Sequence, residues 1–323
     1  MAFLEGAAAG LAWLGRHGTG AVAVSMFVGI AVPPLGALVR PYFAETVIVL
    51  LVLAFLRVDP AGLREQWSRP RLLVVATAWT MLAVPALTGL GLAASGLAAV
   101  APVLMLALTL HVVAPPTFSS PALAALIGLN AALSLALLIV CIGATPLTAP
   151  AFVALFAGAD VTLSPLALGL RLAAILAGAA AAAAAIRAVA GKAWVERQAD
   201  RIDGLSVVAL FGFAVALMGN VLENALARPL LVAGLIALST AISLVLSALT
   251  ALIFVHAGRD SAFALGHAAG SRNMGLMLAA SAGLVPELVW LYVALAQFPI
   301  YLLPLVYKPL ARKLSLGQPN TGR

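Results

Sequence analysis

Residues 267–275 read His-Ala-Ala-Gly-Ser-Arg-Asn-Met-Gly and interrupt an apolar run, Ala262 to Leu284, otherwise long enough to cross a bilayer. Unwound backbone is tolerated at membrane depth only where protein buries it or water lines it. An arginine at that depth costs at least ~2.5–3.5 kcal/mol on insertion scales and marks a functional site by default. Arg272 offers five donors in a fork suited to a carboxylate. It is therefore the first candidate for binding an anionic substrate, with Ser271 and Asn273 beside it. The competing expectation is that Arg272 only caps the carbonyls of a broken helix. His267 stands one turn away and is the candidate carrier of a coupling proton, since imidazole changes charge near physiological pH.

A second break matches the first. His111-Val112-Val113-Ala114-Pro115-Pro116-Thr117-Phe118-Ser119-Ser120-Pro121 places a proline pair and three hydroxyls inside another apolar run. Prolines lack the backbone donor and end helices. Thr117, Ser119 and Ser120 are expected to face Arg272 across the site, although small hydroxyl residues also serve as packing between membrane helices. Asn130 and Ser134 follow, one turn apart, and join the candidate set. His111 is as much a packing histidine as a pathway residue, and Ser239, Thr240 and Ser243 read as packing. Asn220, Glu223 and Asn224 read as a solvated helix end.

The elements that hold these residues follow from composition. Of 323 residues, 64% are apolar and 9% charged, with mean hydropathy +1.14. This describes an all-α integral membrane protein and excludes a soluble domain. The net charge of +7 does not indicate nucleic acid, because the basic residues fall in short loops. Ten spans are predicted at roughly 18–38, 41–57, 72–93, 98–127, 130–157, 163–189, 204–222, 228–256, 261–283 and 286–307. Arg57, Arg64, Arg69, Arg71, Arg187, Lys192, Arg197, Arg201 and Arg259 fall on one side of such a bundle. Arg40 and Arg228 fall on the other. The positive-inside rule then puts both termini in the cytoplasm and the chain in the inner (plasma) membrane. Residues 1–17 form an N-terminal interfacial segment with no cleavable signal, because Arg16 and His17 follow its apolar stretch. Residues 18–157 and 158–307 form two five-span halves, and 308–323 a cytoplasmic tail. An odd number of spans per half inverts the second half, and paired interrupted spans in inverted halves point to a secondary transporter with its site at the midplane.

Pro115-Pro116-Thr117-Phe118-Ser119-Ser120, Asn130-Ala131-Ala132-Leu133-Ser134 and Ala144-Thr145-Pro146-Leu147-Thr148-Ala149-Pro150 resemble three motifs of the bile acid:sodium symporter family, at the same spacing. Ser271-Arg272-Asn273-Met274-Gly275-Leu276 resembles that family's ninth-span element. The resemblance implies a panel of spans one, two, six and seven. It implies a core of spans three to five and eight to ten, in which broken spans four and nine cross. It also implies transport of organic anions, mostly with sodium. The family's sodium ligands are largely replaced here. Its ninth-span glutamate falls at Ala268, its glutamine at Arg272, its fourth-span asparagine at Pro121 and its fifth-span threonine at Leu138. Its third-span glutamine falls near Thr80, and Ser120 and Ser134 remain as the remnant.

A guanidinium and a sodium ion a few ångströms apart in a poorly screened interior repel by several kcal/mol. The expectation is therefore sodium-independent alternating access for a small organic anion, with Arg272 as a tethered cation where relatives hold sodium. A sodium symporter with a site rebuilt from Thr80, Ser120 and Ser134 is the first alternative. A membrane sensor or binding scaffold that does not transport is the second. No cofactor, metal or enzymatic activity is expected, since no phosphate-cradling loop and no His-Glu-x-x-His helix appears. The lone Cys141 lies well past the span-four break, unlike the thiolate of related arsenite carriers. Arg171 is expected to snorkel, and Ala177–Ala185 to form a close-packed seam.

Overall fold

The computed structural model describes residues 9–14, 24–58, 70–157 and 163–303. The tail and most of the N-terminal segment lie outside the described residues. Among the described residues, six helices are long and apolar enough to cross a membrane: Pro33–Arg57, Pro70–Ala94, Ala131–Phe156, Pro165–Ala190, Ala199–Ala227 and Pro229–Ile253. Shorter apolar helices run over Pro102–Val113 and Glu287–Leu303. Large aliphatic side chains stand fully outward on these helices, among them Leu147 at 79% and Leu230 at 88% exposure. In water such a surface would aggregate; in lipid it is the solvated face. The protein is a helical, multi-span membrane protein.

The boundary expected between residues 38 and 41 lies elsewhere. Helix 24–31 stops at Val32, whose backbone leaves the helical region (φ −125°, ψ 69°), and a new helix starts at Pro33. The pair Pro33-Pro34 explains this: neither offers an N–H, and the residue before a proline is driven out of the α region. Helical winding then continues to Arg57, tightening to a 3₁₀ turn over Arg40–Tyr42 where Pro41 sits.

Two groups of helices emerge from the packing. Pro33–Arg57 lies against both Ala199–Met218 and Pro165–Ala190. Gly36 there meets Gly219 backbone to backbone: a Cβ on Gly36 would stand 2.6 Å from the Gly219 Cα. Pro229–Ile253 packs along Arg259–Gly270, and Ala131–Phe156 touches Pro102–Val113, Ser120–Leu126, Pro70–Ala78 and Arg259–Gly270. Ala131–Phe156 also packs on Pro165–Ala190 as extensively as Pro33–Arg57 does, so Pro165–Ala190 joins the two groups. A Trp79 Nε1–H bond to Thr250 Oγ1 (2.9 Å) joins the third expected span to the eighth. The run Ala177–Ala185 forms only half of the seam expected of it. Ala179 and Ala183 are buried, and Ala183 packs with Leu53 and Leu56, while most of its neighbours are exposed.

Candidate functional site

Both expected breaks are present. One helix ends at Val113 and the chain resumes helical form at Ser120. Another ends at Gly270 and resumes at Met274. The two extended stretches cross and pair through an antiparallel bridge between Pro116 and Arg272. Thr117 donates its N–H to the Ser271 carbonyl (2.9 Å), and Asn273 donates to the Pro115 carbonyl (2.7 Å). Each break thus satisfies the other's backbone, which is the condition for non-helical chain at this depth. Glycine at the end of the first half-helix of the second break lets it lie close on Pro229–Ile253. A Cβ on Gly270 would stand 2.0 Å from Ser247 Oγ and 2.4 Å from the Ser243 carbonyl oxygen.

Arg272 is fully buried, and its guanidinium is held by three carbonyls that have each lost a helical donor. Nε–H bonds the Ala269 oxygen at 2.6 Å. The donor four residues on, Asn273, is already engaged with Pro115. Nη1 bonds the Ala114 oxygen at 2.9 Å, where the preceding half-helix has just ended. Nη1 also bonds the Thr80 oxygen at 3.2 Å. Thr80 lies in a π-turn, Trp79–Ala83, in which Val84 N–H bonds the Trp79 oxygen. In that register the Thr80 oxygen would take its bond from residue 85, a proline with no N–H. Arg272 supplies what Pro85 lacks. Among the described residues Nη2 has no hydrogen-bond partner. No acid approaches the guanidinium among the hydrogen bonds and ion pairs of the described residues. This is the capping geometry set out as the alternative expectation, extended to three chain segments at once.

A cavity of about 540 Å³ opens beside the crossing. Thr117, Ser119, Arg272, Asn273 and Met274 line it from the breaks, and Leu138 and Ile142 from Ala131–Phe156. Val47, Leu50 and Arg57 line it from Pro33–Arg57, Ser206 and Phe213 from Ala199–Met218, and Gln297 and Tyr301 from the last helix. Arg57 and Asp203, paired at 2.9 Å and both partly exposed, stand among these lining residues. The walls are mostly apolar.

The other candidates divide. Ser120 is buried behind the cavity, with its hydroxyl 2.9 Å from Thr117 Oγ1, and Ser119 Oγ donates to the same oxygen at 3.2 Å. Ser271 is buried, its Oγ 3.5 Å from His267 Nδ1, and neither lines the cavity. Asn273 caps the second half-helix, accepting from Leu276 N–H at 3.2 Å. Asn130 caps Ala131–Phe156 in the same way, accepting from Leu133 N–H at 2.9 Å. It lines a separate surface depression with Arg259, Asp260 and Ser261, away from the crossing. Ser134 and Thr80 are buried, and Ser134 Oγ has no partner among the described residues. Ser239 bonds its own helix at the Ile236 carbonyl. Arg171 reaches inward to the Ser281 carbonyl at 3.5 Å, the outer limit of a hydrogen bond, at the end of the Met274–Ala280 half-helix.

Sequence reasoning missed three contributors. Tyr292 Oη lies 2.6 Å from His111 Nδ1 in the core, and Gln297 and Tyr301 complete the cavity wall. Their signal was weak: polar atoms in the last apolar span, with no motif around them. No family sequence profile and no curated protein matches the chain. The likeness to bile acid:sodium symporters therefore rests on the motif residues quoted above.

Proposed function

We propose that this protein is a secondary carrier of a small organic anion, working by alternating access and without sodium. The supporting observation is the cavity: it lies between one helix group and the crossed breaks of the other, against a buried guanidinium with no acidic partner among the described residues. In this reading Pro33–Arg57, Pro165–Ala190 and Ala199–Met218 belong to a panel, the remaining long helices belong to a core, and the two halves of the chain are inverted repeats. The panel slides on the core, and the cavity is exposed alternately on each side. The positive-inside pattern assigns the Arg57 end to the cytoplasm.

Arg272 plays the tethered cation. Its charge bonds carbonyls from three segments and fixes the crossing. The same charge, unbalanced in a medium of low dielectric, attracts an anion into the cavity. Thr117, Ser119 and Asn273 then offer polar contacts, and the Leu and Ile walls accept an apolar body. A proton on His267 is a secondary proposal for coupling.

The test is counterflow of labelled organic anions in proteoliposomes, with sodium replaced by potassium. A thermal-shift screen on the purified protein picks the anions, since a binder raises apparent stability by mass action. The expected result is exchange that is indifferent to the cation and lost in Arg272→Ala. Stimulation by sodium would favour a cation site rebuilt around Thr80, Ser120 and Ser134. Binding without exchange would favour a sensor or scaffold.

A further inference from the structure

The two ends of the molecule are tied in different ways. Among the described residues, the polar ties at the Arg57 end stay within one helix group. Arg57 pairs with Asp203, and Arg187 Nη2 bonds the carbonyls of Leu56 (2.7 Å), Val58 (3.1 Å) and Phe55 (3.3 Å). Nothing in these ties spans the mouth of the cavity. At the other end the ties cross from that group to the last helix. Arg40 Nη2 bonds Glu287 Oε1 at 2.5 Å, and Asn220 Nδ2 bonds Glu287 Oε2 at 2.9 Å. Both carboxylate oxygens are therefore held from across the gap.

Beneath this polar cover lies a column of rings. The Arg40 guanidinium sits 4.3 Å over the Trp290 ring. Trp290 meets Phe43 edge-on at 5.2 Å, and Phe43 stacks on Phe213 at 5.3 Å. Phe43 and Phe213 are buried, and Phe213 is itself a wall of the cavity. Phe43 and Phe213 belong to one helix group and Trp290 to the other. The column thus fills the route from the cavity to the Arg40 end with rings that interdigitate across the two.

We propose that Phe213, Phe43 and Trp290, covered by Arg40, Glu287 and Asn220, form the closed gate of the carrier. The structure would then be the state open at the Arg57 end. An exposed ion pair is a weak tie, which suits a part that must release each cycle. Sliding of the panel parts Phe43 from Trp290 and both panel ligands from Glu287 in one movement. This inference rests on the carrier reading, so its test must not depend on transport.

Ser119 lies in the cavity wall and serves as the reporter. Ser119→Cys is made in a Cys141→Ala background, and a membrane-impermeant maleimide is applied from the face that carries Arg40. The parent is expected to label slowly. Glu287→Ala should label about three- to five-fold faster, the population shift expected from losing one exposed ion pair. Asn220→Ala should give a smaller rise. The exchange Arg40→Glu with Glu287→Arg should return the rate toward the parent. Labelling of Glu287→Ala at the parent rate overturns the gate. A labelling shift in a protein that exchanges no anion keeps the gate and removes the carrier reading. Exchange with unchanged labelling does the reverse.

Discussion

Asn273 gives its backbone N–H to Pro115 and so withholds it from Ala269, whose carbonyl passes to Arg272. The bond that joins the breaks also creates one of the three acceptors that hold the guanidinium. Removing Arg272 should therefore unsettle both breaks.

Arg272→Ala strands the Ala269, Ala114 and Thr80 oxygens in a buried setting. The expected loss is roughly 3–5 kcal/mol, the range for breaking a buried charged network. It should appear as a lower melting temperature in detergent. Arg272→Lys keeps the charge but has no fork to reach three carbonyls, so its melting point should fall between the two. A melting point in Arg272→Ala equal to that of the parent would remove the capping role.

Pro85→Ala restores an N–H that can reach the Thr80 oxygen within its own helix. The π-turn should then compete with Arg272 for that oxygen. Anion exchange should fall while the melting point stays within a few degrees, because a helical bond replaces the one lost. Unchanged exchange kinetics would show that the Thr80 contact is dispensable.

Two glycine substitutions should differ in sign. Gly270→Ala forces a methyl into Ser247 and Ser243 and is expected to cost about 1–3 kcal/mol, as overpacking does. Gly91→Ala meets open space within a helix and should gain about 0.5–1 kcal/mol. Paired melting curves test both. Equal effects would mean that the close approach at Gly270 relaxes without strain.

Tyr292→Phe leaves His111 Nδ1 without its phenolic partner in the core. The expected cost is about 1–3 kcal/mol, that of an unsatisfied buried polar group, with anion exchange retained. A large loss of exchange at full stability would instead place His111 in the transport pathway.

The breaks were legible in the chain because Pro115-Pro116 and Gly270 act through their own backbones, and a missing donor or missing Cβ can be read without a partner. Val32 was less so. The polar Arg40 drew the expected boundary toward itself, whereas the helix obeyed the Pro33-Pro34 pair. The role of Thr80 was hidden for another reason: its carbonyl does the work, and a carbonyl is the same in every residue. Only Pro85, five positions on, hinted that it would be free. Arg40 and Glu287 are 247 residues apart, and no motif in the sequence links them. Asn220, read as part of a solvated helix end, binds the same carboxylate.

The rung between Pro116 and Arg272 is made of main chain. Mutation can restyle Thr117, Ser119, Gln297 or Tyr301 without touching those two bonds. A lineage built on this hinge is free to change its cargo residue by residue while inheriting the same axle.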